Sequence, residues 1–226
     1  MSHDDPADHF RIERSPEYQN RIICGIDEVG RAPLAGPVAA ACVYIPKDSW
    51  DDDFWSQVTD SKKIPKTKRL AIFEKTCELC FYGVGWASPN EISRYNIHHA
   101  SLYAMYRAYT SLCRLSGLSP DVALVDGRHA PDLGIQTRTI VKGDLVCKSI
   151  SAASIIAKVT RDELMEHLHA DYPYYKWNSN VGYPTKDHLS ALNIYGPTPH
   201  HRKSFAGVRE FFETPAKRPQ KRLFRA

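Results

Sequence analysis

The stretch Cys24-Gly25-Ile26-Asp27-Glu28-Val29-Gly30-Arg31-Ala32-Pro33 organises the reading of the whole chain. Ile22, Ile23 and Ile26 read as a buried strand, and two adjacent carboxylates, Asp27 and Glu28, follow at once. A charged pair at the end of an apolar strand is costly unless a metal or another cation meets it. Gly30 lets backbone approach a ligand closely, and the guanidinium of Arg31 suits a phosphate. Residue types alone therefore suggest a metal site beside a phosphate site. Adjacent strand residues face opposite ways, so Asp27 and Glu28 share a metal only if the strand ends or bends there, with one backbone carbonyl as a further candidate ligand.

Outward from this stretch the chain alternates strands and helices. Residues 21–27 and 36–45 read as two strands joined by a Gly/Pro-rich turn. Pro65 to Leu79 reads as an amphipathic helix with Leu70, Ile72, Phe73 and Leu79 as its apolar positions, and Phe81 to Trp86 as a third strand. Ser88-Pro89-Asn90-Glu91 is a capping box with proline at the first helical position, so a helix starts there. Ile97 to Leu115 keeps helical periodicity. Asp121 to Val125 is a short apolar strand ending in Asp126-Gly127, and Thr137 to Val141 is another, ending in Lys142-Gly143-Asp144. Ser149 to Leu168 reads as a long helix whose first half is small residues suited to close packing. Thr185 to Leu192 and Phe205 to Phe212 read as shorter helices. The class is α/β, in which ligand sites gather at strand ends.

Three apolar strands thus end in carboxylates: Asp27-Glu28, Asp126 and Asp144. If the strands are neighbours, four carboxylates converge, and like charges so close repel and raise each other's pKa. A divalent cation resolves that conflict, and an all-oxygen ligand set favours Mg²⁺ or Mn²⁺ over zinc. Two such ions about 4 Å apart are the usual apparatus for in-line phosphodiester cleavage.

The net charge of +4 permits nucleic-acid binding without demanding it. Positive residues cluster at Lys62, Lys63, Lys66, Lys68 and Arg69, and again at Lys217, Arg218, Lys221, Arg222 and Arg225. Lys62, Lys63 and Arg202 are candidate phosphate contacts. The six cysteines are irregularly spaced, and Met1 to Asp8 is polar and acidic without an apolar core, so free thiols in a reducing, cytoplasmic setting are expected. Cys77-Glu78-Leu79-Cys80 reads as the end of a helix, with no second pair at zinc spacing. No apolar run is long enough to span a membrane.

Gly25-Ile26-Asp27-Glu28-Val29-Gly30-Arg31, then Pro33-Leu34-Ala35-Gly36-Pro37-Val38, resembles the signature of the ribonuclease HII family. Asp60-Ser61-Lys62-Lys63, Tyr95-Asn96-Ile97 with Ala100, and Leu124-Val125-Asp126-Gly127 follow in the family's order. So do Lys142-Gly143-Asp144, Ser151 to Asp162, Gly182-Tyr183-Pro184-Thr185 with His188, and His201-Arg202-Lys203-Ser204-Phe205. The resemblance spans residues 21–210. It implies a ribonuclease H-like fold, a mixed five-stranded sheet flanked by helices with a helical C-terminal part. It implies cleavage of the RNA strand of RNA–DNA hybrids, including single ribonucleotides embedded in duplex DNA, leaving a 3′-hydroxyl and a 5′-phosphate, with a role in ribonucleotide removal.

Carried over, Asp27, Glu28, Asp126 and Asp144 match the four catalytic, metal-binding carboxylates, which hold two divalent ions, Mg²⁺ or Mn²⁺. Gly30, Arg31, Ala32, Lys62 and Tyr183 match substrate contacts, the turn at residue 30 reading the 2′-hydroxyl and Tyr183 testing the next sugar. Asp162 reads as a supporting residue. This chain has Ala32 where the family has glycine, which costs on the order of 1 kcal/mol if that position needs a positive φ. The expected organisation is a polar lead-in over 1–20, a catalytic domain over 21–212 and a basic tail over 213–226, in a monomer. The tail's Gln220, Leu223 and Phe224 are similar to the short peptide by which bacterial replication proteins dock into the sliding clamp; an uninvolved basic tail is the alternative. The rival to the enzyme is a catalytically silent nucleic-acid-binding module on the same fold, against which four retained carboxylates argue.

Overall fold

The structure is a computed structural model that describes residues 8–61 and 63–213. It divides into two compact units. The first comprises Met1–Val29, Ala39–Trp86 and Ser101–Val159, and the second Gly30–Val38, Ala87–Ala100 and Thr160–Ala226, each within the described range.

The first unit is built on a five-stranded sheet: β1 (Ile23–Val29), β2 (Val38–Tyr44), β3 (Phe81–Ala87), β4 (Val122–Asp126) and β5 (Gln136–Ile140). The spatial order is β3-β2-β1-β4-β5. β1 runs antiparallel to β2 and parallel to β4, and β4 runs parallel to β5, so the sheet is mixed as expected. β1 and β4 are near-continuous apolar runs because both faces are covered, whereas the outer strand β5 is polar and largely exposed. Helices α1 (Lys66–Leu79) and α2 (Pro89–Ser116), the latter broken at Asn96 (φ 64°), flank β3 in sequence, and α3 (Gly143–Val146) and α4 (Lys148–Asp171) follow β5.

The small residues at the start of α4 have a direct packing consequence. A Cβ placed on Gly25 of β1 would lie 2.2 Å from the carbonyl carbon of Ser149, so only glycine lets the helix backbone come that close to the strand. Ala152, Ala153 and Ala157 bury in the same core as Val43, Trp55 and Ile72. Phe10 and Tyr18, from the polar-looking first twenty residues, are 1% exposed and join the cores of this unit.

The second unit packs Leu34, Ala35, Met165, Tyr175, Trp177, Leu192 and Val208 around α5 (Trp177–Asn180) and α6 (Lys186–Tyr195). The capping box forms as read: the Ser88 hydroxyl accepts the Glu91 amide at 3.2 Å, and Glu91 accepts the Ser88 amide at 2.9 Å.

Several expectations need correction. β1 does not end at Asp27-Glu28 but continues through Val29, paired with Ala39. Asp144 follows no strand directly; Lys142 turns left-handed (φ 57°) and Asp144 sits in the short helix α3. The helix read over Phe205–Phe212 is mostly turns, with Gly207 at φ 89°, and only α7 (Glu210–Glu213) is helical. On α1, Leu70 is exposed and Thr76 is buried in its stead.

Candidate active site

Asp27 lies in β1 and Asp126 closes β4. The two strands are parallel with Ile26 level with Val125, so the two acids stand side by side. Asp27 is buried, 7% exposed. One of its oxygens accepts the Glu28 amide at 2.7 Å, and the Ser154 hydroxyl of α4 donates to it. Burial, then the neighbouring Glu28 and Asp126 carboxylates, hold its pKa well above the ordinary carboxylate range. Asp126 is also raised, first by burial and further by Glu28, although it accepts the Gly143 amide at 2.7 Å and those of Gly127 and Asp144. Asp27, Glu28 and Asp126 therefore act on one another, and Asp144 is tied to Asp126 through its backbone amide.

The donor set is entirely carboxylate, and burial together with like charge disfavours the ionised forms of Asp27 and Asp126. A hard divalent cation suits both properties. Among the described residues, however, no three acidic, thiol or imidazole groups are already drawn together as a metal cage. Ser154 also meets the Ser61 hydroxyl at 2.9 Å, linking the buried acid to the Asp60-Ser61 turn. Lys62 lies outside the described residues, and Lys63 is exposed.

In the second unit, the segment Gly30–Val38 is held by two buried arginines. Arg161 donates to the carbonyls of Pro37 (2.9 Å), Val181 (3.0 Å) and Ala35 (3.1 Å). Arg202 donates to those of Gly36 (2.9 Å), Arg31 (2.8 Å) and Gly30. Both side chains are 0% exposed, which overturns the reading of Arg202 as a phosphate contact. Burial pulls Arg161 down to about 10 and Arg202 to about 9, so both remain charged at neutral pH.

Gly30 turns at φ 87°, and a Cβ there would stand 2.1 Å from the Arg161 Nε. Ala32 is not among the described residues with positive φ, so its methyl group adds no backbone strain. Arg31 and Ala32 are exposed. Tyr183 is 39% exposed; its amide donates to the Asn180 carbonyl at 2.8 Å, and the Gly182 carbonyl accepts the Leu34 amide at 2.8 Å.

Sequence reasoning missed Arg161, and a signal was there: one guanidinium in a helix otherwise lined by Ile155, Ile156, Val159 and Met165. Asp162, read as a supporting residue, acts electrostatically on Arg161. Gln220, Leu223 and Phe224 lie outside the described residues.

Two parallel strands thus carry neighbouring carboxylates, in a mixed sheet, and a glycine turn is braced by arginines. The family profile for ribonuclease HII matches residues 24–208. The chain belongs to the ribonuclease HII family. A ribonuclease HII from Wolbachia pipientis of Culex pipiens is 47% identical over 189 residues, covering 83% of this chain and 92% of that protein. The ribonuclease H2 of Pyrococcus horikoshii superposes with a TM-score of 0.70 at 25% identity, covering 84% of this chain and 97% of that one. The same fold appears in Bst ribonuclease HIII solved in complex with Mn²⁺ (TM-score 0.67, 19% identity, 88% of this chain and 71% of that one). It also appears in the Archaeoglobus fulgidus ribonuclease HII solved in complex with PCNA (TM-score 0.65, 24% identity, 81% and 95%). As a ribonuclease HII family member the chain is an enzyme, an endoribonuclease of the ribonuclease H type. No helix among the described residues is long and apolar enough to cross a membrane.

Proposed function

We propose that this member of the ribonuclease HII family cuts the RNA strand of RNA–DNA hybrids and also incises duplex DNA at single embedded ribonucleotides, leaving a 3′-hydroxyl and a 5′-phosphate and so starting ribonucleotide removal. The observation that carries the reading is the crowd formed by Asp27 and Glu28 within β1 and Asp126 at the end of β4. Asp27, Glu28, Asp126 and Asp144 would hold two divalent ions, Mg²⁺ or Mn²⁺. Such ions supply a water of lowered pKa and a counter-charge for the leaving oxygen. The protein's own part is to keep the four oxygen-bearing side chains on short tethers: a strand, a strand end and one helical turn.

Gly30, Arg31 and Ala32 would contact the 2′-hydroxyl and its flanking phosphates, largely through backbone amides, because Arg202 already occupies the carbonyls of Gly30 and Arg31. The exposed ring of Tyr183 would stack beside the following sugar. Lys62 and Lys63 would bind phosphates. The tail residues Gln220, Leu223 and Phe224 would dock into a sliding clamp, a reading that the clamp-bound Archaeoglobus relative favours.

A single nicking assay tests the core of this. Duplex DNA with one ribonucleotide, and a full RNA–DNA hybrid, are each incubated with Mg²⁺ and with Mn²⁺. Cleavage of both, 5′ to the single ribonucleotide, is expected. No nicking of either substrate with either ion would overturn the assignment.

A further inference from the structure

The imidazoles of His188 and His201 meet inside the second unit, Nε2 to Nε2, at 3.0 Å, with both side chains buried. Two neutral imidazoles in this arrangement share one N–H, and their surroundings decide whose it is. The Thr198 backbone amide, which can only donate, points at His201 Nδ1 at 2.9 Å. His201 Nδ1 is therefore an acceptor, and the ring proton sits on Nε2, directed at His188. The Trp177 indole N–H, also an obligate donor, reaches the same His188 Nε2 at 3.2 Å. His188 must then carry its proton on Nδ1, which lies 2.9 Å from the Tyr183 carbonyl. Every link runs the same way, from Thr198 through His201 and His188 to Tyr183.

We propose that His188 is a positioning residue for Tyr183, holding the Gly182-Tyr183-Pro184 turn through this one-way chain and so setting where the tyrosine ring meets the ribose. The inference rests on the reading of Tyr183 given above. The turn needs such a hold. Val181, just before it, is a β-branched residue at φ 43°, a conformation that such residues rarely adopt. Asn180 and Thr185 brace it too: Asn180 Oδ1 accepts the Gly182 amide at 2.9 Å, and the Thr185 amide donates to the Tyr183 carbonyl at 2.8 Å. Of the donors on that carbonyl, only His188 depends on a side-chain proton placed by other residues. Burial holds both imidazoles below their ordinary pKa, keeping them neutral as the chain requires.

Two measurements test the assignment. Nitrogen-15 imidazole spectra of the wild-type protein near pH 7.5 should show His188 protonated on Nδ1 and His201 on Nε2. His188 protonated on Nε2, or either ring cationic, overturns the chain. The second measurement is a double-mutant cycle. His188→Ala should lower kcat/KM on the single-ribonucleotide duplex by about tenfold more than on the hybrid, and that loss should vanish in a Tyr183→Ala background. His188→Asn, which keeps an N–H close to the place of Nδ1, should stay within about threefold of wild type. Additive losses, or equal losses on both substrates, mean that His188 only supports the core. If the wild-type enzyme nicks neither duplex, the reading of the function fails. The tautomers, with the Tyr183 ring resonances in His188→Asn and His188→Ala, then judge the positioning role alone: shifted in Ala and restored in Asn if it holds, unmoved in both if it does not.

Discussion

At the scale of single residues, Gly30 and Ala32 answer to different constraints although one position separates them. Gly30 combines a left-handed φ with a site where a Cβ would lie 2.1 Å from the Arg161 Nε. Gly30→Ala should therefore destabilise the protein by about 2–4 kcal/mol in urea unfolding. Ala32→Gly should change the rate on a single-ribonucleotide duplex by less than about twofold, because no strain is there to relieve. Asp27 offers the opposite trade. Its carboxylate is buried among like charges, so Asp27→Asn should raise the melting temperature in EDTA by about 2–4 °C for each kcal/mol of repulsion removed. The same change should lower nicking about a thousandfold. An Asp27→Asn protein that melts below wild type in EDTA would show that the carboxylate is not strained by its neighbours. These acids were legible in the sequence because a charge that closes an apolar run is too costly to keep without a cation to meet it. Arg202 was not: in His-Arg-Lys-Ser it looks exposed, and the carbonyls that bury it lie some 170 positions away.

At the scale of elements, periodicity located every strand and both long helices, while their ends and partners needed the fold. β1 runs past its acids because β2 pairs with it as far as Val29, a cross-strand fact that no local pattern carries. The Phe205–Phe212 periodicity was overridden by a glycine turn. α4 was legible as a helix of small residues, but its fully buried charge, Arg161, shows its use only in three dimensions. Removing that guanidinium with Arg161→Met would leave the carbonyls of Ala35, Pro37 and Val181 without their donor. A loss of about 3–5 kcal/mol is expected, measured by denaturant unfolding. Arg161→Lys keeps the charge but not the fan of donors and should recover less than half of that loss.

At the scale of the whole molecule, proton and salt dependence report on different parts. His201 is depressed to about 3 by burial, then by His188 and His200, and His188 is lowered by burial. An imidazole with a lowered folded pKa contributes its full stability above about pH 6.5 and loses it as the pH falls toward the folded value. His201 alone should remove about 2 kcal/mol between pH 7 and pH 5. Urea midpoints measured across that range should fall, and a flat profile would show that the ring stays accessible to protons. Nucleic-acid binding should respond to salt instead, the logarithm of affinity dropping by roughly one power for each phosphate contact made. Lys63→Gln should lessen that slope by about one.

The two arginines also set an order of events in the life of the chain. Arg202 is made 172 positions after Gly30, where the turn that it completes begins. During translation, Asp27, Glu28, Asp126 and Asp144 are all made before the side chain that finishes the turn. A ribosome-bound fragment ending at residue 200 would carry these four acids and a turn held by Arg161 but not by Arg202. Synthesis thus delivers the four carboxylates first and the Arg202 brace of the Gly30 turn after them, so the final folding of this turn waits on residue 202.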